Sequence, residues 1–198
     1  IINKYEIPVV EDNPYGELRF EGEYMPALKS LDTKGLVIYL GTFSKILAPG
    51  YRLGWVCADD AILSKFNFME QAASLQASTI GQMETSKWID MFDLDGHVTK
   101  IRECYRKRRD VMIQTMEREF PPEAKFTHPN GGLFTWVELP DYINTNEMAK
   151  QCLARNVAYV PGDGFFPDAG HNNCIRLNYS CMPEEKIKQG MTILGEVI

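Results

Sequence analysis

Apolar runs separated by polar turns dominate the first quarter of the chain, and helical periodicities take over in its middle. Ile7-Pro8-Val9-Val10 is a compact apolar run that stops at Glu11-Asp12-Asn13-Pro14, the pattern of a buried strand over 7–10 ending at a loop. Residues 35–40 form a second such run, followed by Gly41-Thr42-Phe43-Ser44-Lys45. Pro49-Gly50 marks a turn before a third strand over 53–57. From Asp60 to about Met91 the apolar positions Ile62, Phe66, Met69, Ala73, Met83 and Trp88 recur at helical spacing. Asp93-Leu94-Asp95-Gly96 interrupts that pattern and supplies the N-cap of a long helix to about Glu119, which Pro121-Pro122 ends. The remainder predicts a strand over 132–139, a helix over 146–155, a short strand over 157–160, a loop over 161–173, a strand over 174–179 and a closing amphipathic helix over 183–197. Two α/β units follow, 1–94 and 95–198, with no internal repeat.

Composition narrows the class. With 44% hydrophobic, 11% aromatic and 24% charged residues among 198, the chain is long and apolar enough to bury a core, which excludes disorder, collagen and coiled coil. No apolar stretch approaches the ~18 residues of a membrane span, and the first residues carry no signal-peptide pattern. The expected setting is cytoplasmic, with no membrane partner. The first residue is Ile1, and the opening segment reads like the middle of a domain.

The charge balance, 21 Lys plus Arg against 27 Asp plus Glu for a net −6, has the opposite sign to that of a phosphate-backbone binder. The basic cluster Lys100, Arg102, Arg106, Lys107, Arg108 and Arg109 falls on the long helix and reads as its solvated face, so no nucleic acid is expected through this segment. Val98, Ile101, Tyr105, Met112 and Met116 would be that helix's apolar side. Five scattered cysteines without a CxxC pair indicate neither a metal site nor a disulfide framework, and each reads as a small buried apolar residue.

Asp12, Thr42, Ser44 and Lys45 fall just beyond the ends of predicted strands, where open α/β sheets keep their ligand sites. A lysine beside hydroxyls that can hold an anion suits a Schiff-base amine. Seven residues on, Arg52 adds a planar cation able to grip a phosphate bidentately. Together these groups suit a phosphorylated aldehyde. Each alone has a plainer reading: Asp12-Asn13-Pro14 as a turn former, Ser44-Lys45 as a surface pair, Tyr15 as edge packing, Arg52 and Arg176 as ion-pair partners.

The string 44–55, Ser-Lys-Ile-Leu-Ala-Pro-Gly-Tyr-Arg-Leu-Gly-Trp, together with Glu11-Asp12-Asn13-Pro14-Tyr15-Gly16 and with 173–180, Asn-Cys-Ile-Arg-Leu-Asn-Tyr-Ser, resembles the fold-type I, pyridoxal-phosphate-dependent aminotransferases of class I/II. The subgroup it resembles contains the 2-aminoadipate, aromatic and kynurenine enzymes. The resemblance implies the C-terminal part of the large three-layer α/β domain followed by the smaller α+β domain. It implies Lys45 as the Schiff-base lysine and catalytic base. Asp12 would pair with the pyridinium nitrogen of pyridoxal 5'-phosphate and Tyr15 with its phenolic oxygen. Thr42, Ser44 and Arg52 would bind the phosphate, and Arg176 the substrate α-carboxylate. Substrates would be an L-amino acid and a 2-oxo acid, 2-oxoglutarate foremost, and the full-length protein a homodimer.

What departs from the family is what stands before Asp12: the aromatic that stacks on the pyridine ring, the glycine-rich phosphate turn and several strands are absent, so the chain reads as the C-terminal half, inactive by itself. The same residues would serve the effector-sensing half of a winged-helix transcription regulator of the GntR/MocR type, or a carbon–sulfur β-lyase. Pro129-Asn130-Gly131-Gly132 resembles the entry to the small domain. In the loop before Arg176, Phe165 and Phe166 either face a substrate side chain or fill a core. His97, His128 and His171 sit in no motif and read as structural.

Overall fold

The computed structural model describes residues 1–168 and 170–198. It divides into two compact units, Ile1–Ile101 and Arg102–Ile198, so the division falls within the long helix, whereas the sequence pattern puts it at the start of that helix.

The first unit opens with a short helix, α1 (Ile2–Tyr5), and builds a three-stranded sheet of order β1 (Val9–Asp12), β2 (Val37–Thr42), β3 (Gly54–Cys57). β1 and β2 run parallel, with Asp12 opposite Leu40, and β3 returns antiparallel, with Gly41 opposite Trp55. The first two strands extend two residues further than their apolar runs predict, so Asp12 and Thr42 are the last residues of strands rather than the first of loops. Backbone pairing continues past the apolar stretch: the Asn13 N–H donates to the Leu40 carbonyl, and the Phe43 N–H to that of Leu53. Two carboxylates that the sequence did not single out shape the crossover. Glu11 accepts from the backbone N–H groups of Leu28 and Lys29 at 2.8 and 2.9 Å. Asp32 accepts from those of Lys34, Leu36 and Val37 and from the Lys29 ammonium. These bonds favour its charged form and hold the Asp32 carboxyl well below its ordinary range.

The helical pattern over 60–91 is two helices, α2 (Asp60–Ala73) and α3 (Thr79–Met91), not one. Ser74 closes the first, Leu75 takes a positive φ of 66°, and Ser78 caps the second. Of the apolar positions that mark the helical pattern, Phe66, Met69 and Met83 are exposed within this chain. α4 (Leu94–Glu119) starts at the expected place, the Asp93 carboxylate accepting from the Gly96 N–H at 2.9 Å.

The second unit holds a four-stranded antiparallel sheet of order β4 (Lys125–Phe126), β5 (Phe134–Glu138), β7 (Cys174–Asn178), β6 (Val160–Pro161). β4 has only two residues, too few to register as a periodicity, and the ladder of β6 is equally short. α5 (Thr145–Ala154) and α6 (Glu184–Val197) pack against each other. Thr135, Val137, Ile175 and Leu177 share one sheet face and are buried, as are Met148 and Cys152 of α5 and Ile187, Met191 and Leu194 of α6.

The basic cluster is not a uniform solvated face. Arg106 and Lys107 are exposed, but Arg109 is buried, donating to the Pro129 carbonyl and the Asp110 carboxylate, and Arg108 donates to the Ser180 carbonyl. Cys152 and Cys174 are buried as expected, while Cys57 and Cys181 are exposed. All three histidines lie against aromatic rings: His97 on Trp88, His128 on Phe126, His171 on Phe166. Among the described residues, no helix is long and apolar enough to cross a membrane.

Candidate active site

In the first unit the candidate residues gather at one end of the β1–β2 pair. Asp12 closes β1 and is exposed. Its neighbour Asn13 reaches the Tyr39 hydroxyl at 3.4 Å, and burial pushes the Tyr39 pKa up. Three residues beyond Asp12, Tyr15 presents its ring to Lys45, the ammonium nitrogen lying 6.0 Å from the ring centroid. That is the outer range of a cation–π contact, so the aromatic face steers the lysine, which no ion pair among the described residues locks.

Thr42 ends β2 with its hydroxyl committed. It donates to the Leu53 carbonyl at 3.0 Å and accepts from the Ser44 N–H at 3.1 Å. The turn over 43–48 is closed further by the N–H groups of Leu47 and Ala48, both donating to the Phe43 carbonyl. Thr42 therefore organises the turn that presents Ser44 and Lys45. Beneath it, Trp55 lies flat across the strand pair: a β-carbon on Gly41 would come within 2.2 Å of the indole, so only glycine admits the ring, which also meets Phe43 at 4.8 Å.

Arg52 sits on the way back into β3 with φ 54° and ψ 39°, the left-handed region, at a cost of roughly 1–3 kcal/mol for a non-glycine residue. Strain of this kind collects at functional sites. Arg52 borders a cleft of about 880 Å³ formed with β3, α2 and α3. Thr85 lines the same cleft and is buried, its hydroxyl without a partner among the described residues.

Arg176 belongs to the second unit. Its register partners are Trp136 on β5 and Val160 on β6, so it stands on the sheet face opposite the buried residues Val137 and Ile175. The guanidinium carbon lies 4.2 Å from the Phe134 ring centroid and 4.7 Å from that of Phe165. Its Nε is buried with no hydrogen-bond partner among the described residues. Phe165 and Phe166 thus serve an aromatic cluster: both meet Trp136, at 5.6 and 5.9 Å, and Phe166 stacks on His171 at 3.9 Å. Sequence reasoning missed Phe134 as a partner of Arg176. The alternation of Phe134 and Trp136 was visible, but their pairing with Arg176 depends on a register spanning some forty residues.

Across residues 1–194 the chain matches the family model "Aminotransferase class I and II". It belongs to that family. It is 44% identical over its full length to an aromatic-amino-acid aminotransferase of Thermococcus litoralis, covering 48% of that protein. Among solved structures, it overlays a multiple substrate aminotransferase of Thermococcus profundus with a TM-score of 0.94 at 44% identity, all of this chain against 49% of that one. An α-aminoadipate aminotransferase of Thermus thermophilus, solved with N-(5'-phosphopyridoxyl)-L-leucine, also overlays with a TM-score of 0.94, at 34% identity over 99% of this chain and 51% of its own. An HTH-type transcriptional regulator of Escherichia coli, itself uncharacterized, is 28% identical over all of this chain and 42% of its own length. The chain spans about half the length of the curated relatives it matches. Its fold is that of the corresponding part of the fold-type I aminotransferases.

Proposed function

We propose that the protein carrying this chain is a pyridoxal-phosphate-dependent aminotransferase that moves an amino group between an L-amino acid and a 2-oxo acid, 2-oxoglutarate among them, through a Schiff base on Lys45. The observation that carries the reading is the presentation of Lys45 beside the Tyr15 ring, on a turn tied to the end of β2 by Thr42. The donor set fits the cofactor chemically: an amine for the aldehyde, a hydroxyl and a guanidinium for the phosphate, and a carboxylate for the ring nitrogen. When bound, pyridoxal phosphate supplies an electron sink for the bond broken at the substrate's α-carbon.

The chain's own residues have separable roles. Lys45 Nζ takes the α-proton, an assignment favoured by a side chain that no ion pair of the described residues holds. Asp12, at the exposed end of β1, holds a proton on the cofactor's ring nitrogen. Tyr15 donates to the phenolic oxygen and keeps Lys45 in place. Ser44 and Arg52 take the phosphate, with Thr42 as the strut of their turn, its own proton being donated to the Leu53 carbonyl. Arg176 grips the α-carboxylate, for which its unpartnered Nε and planar fork are suited. The whole protein works as a homodimer in this reading, and the 198 residues by themselves transaminate negligibly.

Borohydride reduction of the cofactor-loaded protein followed by peptide mapping tests the central assignment. The adduct is expected on Lys45, and an adduct on another lysine refutes it. A second reading, an effector-sensing domain of a transcription regulator, is favoured by the likeness to HTH-type regulators. A basic helix-turn-helix module of ~70 residues preceding this segment would decide for it.

A further inference from the structure

Resting on the reading of Arg176 as the carboxylate site, we propose that Phe134 and Phe165 are positioning residues: a two-ring aromatic clamp, its Phe165 side seated by Gly162, that orients the Arg176 guanidinium so that its terminal nitrogens meet a substrate carboxylate. The two rings approach the guanidinium carbon to 4.2 and 4.7 Å. They come from different places. Phe134 stands on β5 and Phe165 ends the 3-10 turn Asp163–Phe165, so the clamp exists only when that turn lies close to β7.

Gly162 allows this approach. Its N–H donates to the Cys174 carbonyl at 2.7 Å, and a β-carbon at Gly162 would come within 2.5 Å of the Cys174 side chain and 2.8 Å of its carbonyl oxygen. The Phe165 N–H then bonds to the Gly162 carbonyl at 3.0 Å, placing the ring. Trp136, edge-on to Phe165 at 5.6 Å, holds it from the side. In a protein the usual way to fix a guanidinium is a carboxylate, which would also compete with the substrate's. Aromatic faces orient the cation and leave its edge free to donate. The orphaned Arg176 Nε fits a group held by stacking.

Phe165 is half exposed, so replacing it tests the clamp without emptying the core. The whole protein, loaded with cofactor, is assayed with an accepted L-amino acid and with its carboxamide, and the inhibition constant of 3-phenylpropionate is measured alongside. Phe165→Leu is expected to raise KM for the amino acid, and weaken 3-phenylpropionate, about fivefold to tenfold with little change in kcat. Carboxamide kinetics should not move, and Phe165→Tyr should restore the acid. Equal losses for acid and carboxamide, or no loss at all, overturn the clamp. Arg176→Lys separates the two levels. If it abolishes the preference for acid over carboxamide while Phe165→Leu leaves it intact, the clamp alone fails. If Arg176→Lys leaves the preference intact, the carboxylate reading fails and the clamp with it.

Discussion

The two sheets of this chain treat their faces in opposite ways. In the second unit β5 and β7 divide labour by register: Thr135, Val137, Ile175 and Leu177 are buried on one side, while Trp136 and Arg176 stand on the other. Packing and chemistry are thus separated by a single residue step, the alternation that a half-buried sheet imposes. In the first unit the proposed chemistry is at the strand ends, in Asp12, Thr42 and the turn that follows, and little of the strand bodies is buried within this chain. Val10 is 58% exposed and, of the residues on β1, β2 and β3, only Val37 is buried. The second unit buries most of this chain's core, whereas the first buries a smaller set, Leu18, Val37, Ile46, Leu53 and Val98, and ties its strand ends and crossover with polar bonds from Glu11, Asp32 and Thr42.

The largest effect that would sharpen this contrast lies in the turn that presents Lys45. On the proposed roles of Lys45 as nucleophile and base, Lys45→Ala in the whole protein should lower the rate of amino transfer by about 10³-fold or more. The fold should be spared, since Lys45 is a partly exposed turn residue. Rapid-mixing measurement of the half-reaction checks the rate, and an unchanged circular dichroism spectrum checks the fold. A loss smaller than tenfold would mean that the strand-end site is not the reacting one.

Core substitutions come next. Ile175→Ala removes a side chain with no exposed surface and should cost about 2–5 kcal/mol in urea unfolding. Val10→Ala, at a strand position exposed within these 198 residues, should stay within about 0.5 kcal/mol when this chain is unfolded by itself. Similar costs for both would erase the distinction between the units.

Much of this contrast was legible in the sequence, though unevenly. Strands over 132–139 and 174–179 were visible as apolar runs, but which face is buried was not, since Phe134, Thr135, Trp136 and Val137 show no polar–apolar alternation and the polar Thr135 lies on the buried face. Lys45 and Arg52 declared themselves through the dense string 44–55. What stayed hidden depended on distance along the chain. Glu11 bonding Leu28 and Asp32 capping the start of β2 are ordinary carboxylates until the crossover is folded. The same holds for Phe134 beside Arg176. The break between α2 and α3 was missed because apolar residues continue on both sides of it, and periodicity alone does not say which of them, Phe66, Met69 and Met83 included, this chain buries.

Asp32 offers a pH-dependent test of the polar bracing. Its carboxyl, 3.8 by ordinary measure, is held well lower by three backbone N–H groups and Lys29. A depressed folded value means that the stabilisation is fully present above the unfolded pKa and is lost as pH falls through the folded one. The first unit should therefore lose stability progressively below about pH 4. Asp32→Asn should lower its stability at neutral pH and flatten that acid limb, read by hydrogen exchange of the Val37 amide. An unaltered acid limb in the variant would remove Asp32 from the account.

The smallest predicted effects compare two helix caps. Asn144 accepts from the N–H groups of Asn146 and Glu147 at the start of α5, and Asp59 accepts from that of Ala61 at the start of α2. Replacing either by alanine removes a cap worth about 1 kcal/mol to its helix. The consequences should differ because the helices differ in what they bury. α5 contributes Thr145, Met148 and Cys152 to the core, so Asn144→Ala should shift the global unfolding midpoint of its unit. Within these 198 residues α2 buries none of its own, so in this chain by itself it can open locally without disturbing the rest, and Asp59→Ala should speed amide exchange within 60–73 while leaving the midpoint unchanged. A shared midpoint shift for the two variants would tie α2 to the global transition and contradict a helix that contributes nothing to this chain's core.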